Sequence, residues 1–352
     1  EFIERKQSKQ SENNSKSKLK DIPMLASACP GWICYAEKTQ GEYILPFISK
    51  TKSPQQIMGT LVKQHLAKQL NKQPNEIYHV SVMPCFDKKL EASREEFQGL
   101  VDCVLATNEL PSLFENKQIT SFVDLEEADM LDLQFSNFDN ASNQLTSSVN
   151  GGSGGYAEFI LKHAAHRLMS SEQAEKCTVE WKQGRNKDLL TAYLMNEERK
   201  KVLTVAIMNG FRNIQTLIRK LKSGEKIGKA PYDFVEVMAC PSGCLNGGGQ
   251  LRPESSNNSN HVTRADGVAL LAKVVDIYNQ IDVRDKNVVY AAARQQPVDD
   301  SSESPVSVWN RLKTENNEEK QVTSNDDVIT VSNLRTDYIA RQAVTNALAI
   351  KW

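Results

Sequence analysis

The feature that most constrains the fold is a pair of short apolar segments, each of which ends at a cysteine. Ile77–Met83 is rich in β-branched residues and runs into Pro84-Cys85. Phe234–Ala239 runs into Cys240 in the same way. Segments of this length and composition predict buried strands. Because ligands in open α/β sheets bind beyond the carboxyl ends of the strands, we expect both thiols to face one crevice.

Segments of strand and helix character alternate along the rest of the chain. The other predicted strands are Val101–Thr107, Thr178–Trp181 and Val202–Met208. The predicted helices begin at Pro54 and at residues near 108, 156, 211, 264 and 333, the last reaching 349. This alternation predicts an α/β fold with mostly parallel sheets flanked by helices.

Length and local composition predict the domain organisation. The chain has 352 residues, more than the roughly 250–300 that one hydrophobic core holds, so we expect two lobes. The opening residues are interpreted as the tail of a helix followed by a polar linker, and the first lobe is expected to be incomplete at its N-terminus. The predicted segments are a linker at 1–22, α/β lobes at 23–150 and 151–294, an irregular surface segment at 295–330, and a C-terminal helix and tail at 331–352.

Charge, hydropathy and cysteine content exclude several classes of protein. The chain has 43 basic and 44 acidic residues, so no general field for binding nucleic acid is expected. It contains no apolar run near the roughly 18 residues of a membrane span, so no membrane partner is expected. Seven cysteines are an odd number and too few for a disulfide scaffold. We therefore expect reduced thiols, some of which have a chemical role.

The glycine-rich segment Gly151–Gly155 precedes a predicted helix from Tyr156. One interpretation is a flexible linker. The other is a loop that lets the backbone approach a ligand or an anion at the helix N-terminus. The segment lacks a Gly-Lys-Ser/Thr ending, so it does not support a phosphate-binding P-loop.

Four cysteines lie in turns marked by proline or glycine, and the other three do not. The four are Cys29, Cys85, Cys240 and Cys244, whereas Cys34, Cys103 and Cys177 are interpreted as packing thiols. Four thiolates hold either a structural zinc or a 4Fe–4S cluster. Zinc usually takes two local cysteine pairs, and only one pair is local here, so the spacing favours the cluster and leaves zinc as the alternative. The glycines at 243 and 247–249 are expected to offer N–H groups to cluster sulfurs.

Three motifs containing these four cysteines resemble the signatures of the iron-only hydrogenases. They are Ala28–Trp32 (ACPGW), Met83–Cys85 with Lys88–Glu91 (KKLE), and Glu236–Cys244 (EVMACPSGC) with Gly247–Gln250. The resemblance implies a hydrogenase-like fold of two α/β lobes with a 4Fe–4S cluster in the cleft. It also implies the cluster ligands, which are Cys29, Cys85, Cys240 and Cys244.

The chain departs from that family at positions that matter for catalysis. Ala28 stands where hydrogenases have a cysteine that passes protons to the catalytic di-iron unit, and a methyl group cannot relay a proton. Ser242 replaces a glycine of the third motif. Lys88 and Glu91 match residues near the di-iron unit, and without it they are expected to form an ion pair or to line a pocket. The resemblance therefore implies no catalytic residue and no hydrogenase activity.

The motifs resemble more closely the eukaryotic branch that contains cytosolic iron–sulfur assembly factors. This likeness implies an adaptor between an early cluster scaffold and a late targeting complex with a WD40 propeller subunit. It implies a cytoplasmic protein with a further location in the nucleus. It also implies a second cluster in an N-terminal module, which this chain lacks because no cysteine precedes Cys29.

The last three residues, Ile350, Lys351 and Trp352, resemble the tail by which proteins of this pathway dock on the targeting complex. A terminal tryptophan offers an aromatic anchor and a free carboxylate. Lys351 departs from the acidic residue usual in such tails, and the other interpretation is an ordinary helix end. Two functional alternatives also stay open, namely a hydrogenase or reductase and a structural zinc interaction module.

Overall fold

The computed structural model describes residues 1–11, 22–121, 125, 138–139, 144–147, 154–226, 231–253, 262–283 and 331–341. The chain forms two compact units, and it passes between them several times. Unit 1 comprises Glu1–Pro54, Tyr156–Gly243 and Arg335–Trp352, and unit 2 comprises Gln55–Gly155 and Cys244–Leu334. The consecutive division of the chain at residues 22, 150, 294 and 330 stays a prediction.

Strands and helices alternate along the described residues. The strands are β1 (Met24–Ala26), β2 (Val80–Met83), β3 (Cys103–Ala106), β4 (Phe138–Asp139), β5 (Gln144–Ser147), β6 (Thr178–Gln183), β7 (Leu189–Met195), β8 (Lys201–Asn209), β9 (Phe234–Met238) and β10 (Asp282–Val283). The α-helices are α1 (Phe2–Ser11), α2 (Pro30–Tyr35), α3 (Pro54–Thr60), α4 (Ala67–Gln69), α5 (Asp87–Ala92), α6 (Leu110–Asn116), α7 (Tyr156–Leu168), α8 (Ser171–Glu175), α9 (Phe211–Lys226) and α10 (Arg264–Asn279). None of the described helices combines the length and apolar composition needed to cross a bilayer.

Unit 1 is built on a sheet of order β1-β9-β8-β7-β6. Strand β9 pairs in parallel with β1 and β8, and all five of its residues are buried. A strand covered on both faces needs the continuous apolar character that parallel sheets show. Helix α7 covers this sheet, and the core cluster includes Met24, Ala157, Leu161, Leu203, Val205 and Phe234.

The other edge of this sheet is antiparallel and contains a strand that the sequence pattern does not predict. Strand β7 pairs antiparallel with both β6 and β8. Its sequence LLTAYLM lacks the polar–apolar alternation of a half-buried strand, so only its two neighbours fix it as a strand. The α/β class predicted from the sequence is confirmed, and this sheet is mixed.

Unit 2 contains a parallel pair, β2 and β3, in which Met83 lies opposite Ala106. Both strands therefore end at the same level. The turn that carries Cys85 and the turn that begins at Thr107 follow at one edge of the pair. A smaller sheet of unit 2 has the order β10-β5-β4.

The N-terminal residues form a packed helix, α1, which agrees with the helix tail that the sequence indicates there. The Phe2 side chain is 3% exposed, and its ring meets the Phe234 ring edge-on at 5.8 Å. Lys6 also forms an ion pair with Asp233. Burying a phenylalanine stabilises by about 1.5–3 kcal/mol, which explains why so polar a helix stays docked. The linker prediction for residues 1–22 therefore needs correction over Phe2–Ser11, and residues 12–21 lie outside the described part of the chain.

Residues 335–341 are extended along unit 1. The Thr336 N–H donates to the Lys50 carbonyl at 2.7 Å, and the Arg341 N–H donates to the Glu37 carbonyl at 3.1 Å. Because these donors are used in tertiary contacts, they cannot form the i→i−4 bonds of a helix. The helix predicted from about residue 333 is therefore wrong over 335–341, and residues 342–352 lie outside the described residues.

Candidate metal centre

The four cysteines predicted to bind metal fall into two pairs. Cys29 and Cys240 belong to unit 1, whereas Cys85 and Cys244 belong to unit 2. None of the seven cysteines forms a disulfide. Within the part of the chain that the structure describes, no group of three or more His, Cys, Asp or Glu side chains is placed to hold a metal ion.

Cys29 lies at the start of helix α2, where Pro30 occupies the first turn and fixes the backbone for the helix. The Ser27 hydroxyl donates to the Val237 carbonyl at 2.5 Å and accepts the Cys29 N–H at 3.0 Å. Strands β1 and β9 are parallel neighbours, with Ala26 opposite Glu236. Ser27 thus ties the Cys29 turn to the strand that leads into Cys240, and both cysteines follow the same edge of the unit 1 sheet.

The Cys240 turn has an unusual backbone. Ser242 and Gly243 both have positive φ angles, 62° and 75°. The Gly243 N–H donates to the Cys240 carbonyl at 3.1 Å. The Ser242 N–H donates to Oδ1 of Asp188 at 2.5 Å. The sequence gives no signal for Asp188, because it lies in the polar turn between β6 and β7.

In unit 2, glycines pack directly against the Cys85 turn. A Cβ atom at Gly247 would lie 2.0 Å from the Pro84 carbonyl oxygen, and one at Gly249 would lie 3.0 Å from the Cys85 nitrogen. A Cβ at Gly248 would meet nothing within 4 Å. Two of the three consecutive glycines are therefore required for close packing, and the middle one is not.

The backbone donors of these glycines are already used. Gly243, Gly247 and Gly249 donate their N–H groups to the carbonyls of Cys240, Cys244 and Pro84, at 3.1, 2.9 and 3.1 Å. The expectation that these three glycines offer N–H groups to cluster sulfurs is therefore wrong. What Gly247 and Gly249 contribute is the close approach of their segment to the Cys85 turn.

Lys88 and Glu91 form a buried ion pair on helix α5. The Lys88 ammonium lies 3.0 Å from Oε2 of Glu91, and the two side chains are 10% and 8% exposed. The Gln56 amide donates to Oε1 of Glu91 at 3.2 Å, and the Gln55 amide donates to the Lys88 carbonyl at 3.1 Å. Of the two arrangements expected for this pair, the ion pair is confirmed.

The glycine-rich loop leads into a helix whose N-terminus already has an anion. The Ala157 N–H in the first turn of α7 donates to Oε2 of Glu236 at 2.9 Å, and Glu236 is 1% exposed. A carboxylate at a helix N-terminus is stabilised by the helix dipole. Gly154 and Gly155 have φ angles of 118° and 65°, as expected for a tight entry into the helix. Residues 151–153 lie outside the described part of the chain.

The other three cysteines are only partly buried, and their interpretation as packing thiols stays a prediction. Burial raises the pKa of the Cys177 thiol, which disfavours the thiolate that a metal needs. Cys103 lies within β3 and Cys34 within α2. The tail residues Ile350, Lys351 and Trp352 lie outside the described residues.

The residues present fit an iron–sulfur cluster. Thiolates are the ligands that iron–sulfur clusters require, and unit 1 contains two of the predicted ligand cysteines, as does unit 2 when each is taken by itself. Gly247 and Gly249 lie directly against the Pro84 and Cys85 backbone and so fix the turn that carries the Cys85 thiol. The Trp32 indole N–H is buried with no hydrogen-bond partner among the described residues. An unsatisfied buried donor so close in sequence to Cys29 suits a site that receives a sulfur acceptor.

Comparison with known proteins agrees with the motifs. Residues 1–248 match the family "Iron only hydrogenase large subunit, C-terminal domain". The chain is 42% identical over 360 residues to "Probable cytosolic Fe-S cluster assembly factor narfl" of Dictyostelium discoideum, covering 94% of this chain and 62% of that protein. It is 42% identical over 340 residues to "Cytosolic Fe-S cluster assembly factor narfl" of Danio rerio, covering 95% of this chain and 72% of that protein. The chain thus spans 62% and 72% of the length of these two relatives, and about half of the length of others, such as 53% of the "Cytosolic Fe-S cluster assembly factor narfl" of Xenopus tropicalis.

Solved structures share the fold. An FeFe-hydrogenase HydA1 variant from Chlamydomonas reinhardtii superposes with a TM-score of 0.59 at 22% identity, covering 96% of this chain and 80% of that one. An apo variant of the same enzyme gives a TM-score of 0.59 at 23% identity, covering 97% and 81%. The chain belongs to the family of the iron-only hydrogenase large subunit, C-terminal domain, and to its group of proteins named cytosolic Fe-S cluster assembly factors.

Proposed function

We propose that this chain is a non-catalytic adaptor that carries a 4Fe–4S cluster in cytosolic iron–sulfur protein assembly. Its cluster ligands are Cys29, Cys85, Cys240 and Cys244. The names of the relatives support the pathway. The four turns support the ligand set, because each places a thiol next to a proline, a glycine or a helix start.

The observation that carries the non-catalytic assignment is the Lys88–Glu91 pair. In the hydrogenase resemblance these two residues match positions near the catalytic di-iron unit. Here the ammonium and the carboxylate neutralise each other at 3.0 Å, and the Gln56 amide adds a hydrogen bond to the carboxylate. A buried pair of this kind needs no further partner for its charges. Ala28 adds to this argument, since its methyl group cannot act as a general acid.

The chain's own residues bind and orient the cluster. A bound 4Fe–4S cluster supplies an electron-accepting and transferable iron–sulfur unit. The thiolates of the four cysteines would hold it, and the Ser27 hydroxyl fixes the Cys29 backbone by accepting its N–H. The Trp32 side chain is fully buried in helix α2, which begins directly after Cys29.

The adaptor role requires two partners in the cytosol. One is an early scaffold on which clusters are built, and the other is a late targeting complex with a WD40 propeller subunit. The terminal Ile350-Lys351-Trp352 would dock on the second partner through the indole and the carboxylate. The resemblance also implies a second cluster in an N-terminal module, and this chain would supply the hydrogenase-like part.

Substitution of single cysteines tests the ligand set. Cys240→Ala and Cys244→Ala are each expected to abolish the cluster absorbance of anaerobically purified protein, because loss of one thiolate opens the coordination of iron. They are also expected to destabilise the fold, because ligand binding and folding are linked. Cys103→Ala and Cys177→Ala are the matched controls and should keep the absorbance. Unchanged absorbance in the first two variants would refute the assignment.

A hydrogen-evolution assay tests the rival function. We expect no turnover from the unaltered protein, because the Ala28 methyl group has no acidic proton to relay. Robust hydrogen production by the unaltered protein would remove the adaptor proposal.

Deleting Trp352 tests the docking tail separately. Retention of the chain on the immobilised targeting complex should fall while the iron content stays the same. Equal retention of both proteins would exclude docking through the tail.

A further inference from the structure

Ser242 occupies a backbone conformation that favours glycine. Its φ angle is 62°, and the following Gly243 also has a positive φ of 75°. In this region the Cβ of an L-residue approaches the following carbonyl oxygen, so residues other than glycine, asparagine and aspartate rarely adopt it. The resembling hydrogenase motif has a glycine here, and this chain does not. Something outside the turn must therefore hold Ser242 in place.

The Asp188 carboxylate supplies that hold. The Ser242 N–H donates to Oδ1 of Asp188 at 2.5 Å, across 54 residues of sequence. A backbone donor bound to a charged oxygen makes one of the stronger hydrogen bonds in proteins. This bond joins the middle of the Cys240 turn to the β6–β7 turn of the same unit.

Asp188 is itself fixed by three asparagines. Its N–H donates to Oδ1 of Asn186 at 3.0 Å, and its carbonyl accepts the Asn209 N–H at 2.9 Å. The Asn213 amide donates to the same carbonyl at 3.1 Å. Asn213 is 6% exposed and also bonds the Asn186 side chain and the Asn209 carbonyl. The backbone of Asp188 is thus attached to the end of β8, the strand that runs beside β9.

We propose that Asp188 is a positioning residue for the Cys240 thiol. By holding the Ser242 N–H, its carboxylate keeps the turn in the left-handed conformation that serine resists, and so fixes the backbone of Cys240. A glycine would adopt this positive φ without help, whereas Ser242 needs the hydrogen bond from its N–H to the Asp188 carboxylate. This inference rests on the proposed function in one respect, namely that Cys240 is a cluster ligand.

The hydrogen bond can be tested on the full chain without any cluster. In the apo protein, Asp188→Ala should speed amide hydrogen exchange at Ser242 by about tenfold to hundredfold, the range of a bond to a charged acceptor. Alkylation of Cys240 should speed up in parallel. Asp188→Asn should restore protection, because an amide oxygen accepts the same N–H. Unchanged exchange and alkylation in Asp188→Ala would overturn the proposal.

Two further variants separate positioning from general destabilisation. Asp233→Ala is the matched control, since Asp233 also accepts a backbone N–H within unit 1, from Thr204 at 2.8 Å. It should lower the free energy of unfolding and leave exchange at Ser242 unchanged. In a Ser242→Gly background, Asp188→Ala should have a smaller effect on alkylation, because glycine adopts a positive φ unaided. Equal effects in both backgrounds would contradict the proposal.

The cluster-loaded protein supplies an independent readout. Asp188→Ala should accelerate cluster loss to a chelator and change the electron paramagnetic resonance spectrum of the reduced cluster, while Asp233→Ala should not alter the spectrum. A wild-type protein that binds no iron would remove the proposed function, and the apo measurements would still decide whether Asp188 positions the turn.

Discussion

The Cys240 turn and the Cys85 turn are held in place by different interactions. The Cys240 turn of unit 1 depends on a side chain, because the Asp188 carboxylate holds a serine at a positive φ. The Cys85 turn of unit 2 depends on missing side chains, because Gly247 and Gly249 pack against its backbone. A turn held by a hydrogen bond responds to changes of polarity, whereas a turn held by contact responds to changes of volume. Substitutions in the two units should therefore have effects of different kind and size.

The largest expected effect is in unit 2, at the buried ion pair. Lys88→Met removes one partner and leaves Glu91 buried without its counter-charge, which costs about 3–5 kcal/mol. The free energy of unfolding from denaturant titration measures this. The matched control is Lys89→Met, since Lys89 and Glu109 form a pair in which both side chains are 40% exposed. That control should leave stability nearly unchanged, and similar losses in the two variants would contradict the account of Lys88.

The next largest effect is at the glycine contact. Gly247→Ala places a Cβ 2.0 Å from the Pro84 carbonyl, and backbone must move to accept it, at a cost of about 3 kcal/mol. Gly248→Ala is the control, because a Cβ at Gly248 would meet nothing within 4 Å and the residue is exposed to solvent. It should change stability by less than about 1 kcal/mol. Comparable unfolding midpoints for the two variants would show that the close contact between Gly247 and Pro84 does not hold this turn.

The smallest expected change in stability is at the Cys240 turn, and it is an increase where the other substitutions cause a decrease. Ser242→Gly relieves about 1–2 kcal/mol of left-handed strain and adds about 0.5–1 kcal/mol of unfolded-state entropy, so a small net stabilisation is expected. Ser93→Gly is the control, because Ser93 has φ of −83° and should only lose stability. Denaturant midpoints measured side by side test this. Equal destabilisation by the two substitutions would show that the backbone of Ser242 is not strained.

The parts of the fold that could be predicted from the sequence are those with local signals. Strands β2 and β9 are short β-branched runs, followed by a Pro-Cys and a Cys-Pro turn. The position of each strand, and its role in presenting a cysteine, therefore follow from a few adjacent residues. The Lys88–Glu91 pair is three residues apart on a helix, which is also a local relation. The family motifs add the ligand set that spacing alone leaves open.

The parts that could not be predicted depend on distant contacts. Strand β7 has no alternation of its own and is fixed by β6 and β8 on either side. Helix α1 has one buried aromatic side chain, and its docking depends on Phe234 and Asp233, more than 220 residues away in sequence. Asp188 lies in a polar turn that looks like any surface loop, and only the sheet brings it to Ser242. The sequence predicts cluster contacts for the glycine N–H groups only because it does not show the carbonyls that accept them.

The central claim is that the four cysteines hold one iron–sulfur cluster. The most direct measurement is the iron, sulfide and zinc content of the anaerobically purified protein, together with electron paramagnetic resonance after reduction. The account predicts about four iron and four sulfide per chain, and a cluster signal that is lost in Cys240→Ala and kept in Cys103→Ala. One zinc per chain with no sulfide would contradict it.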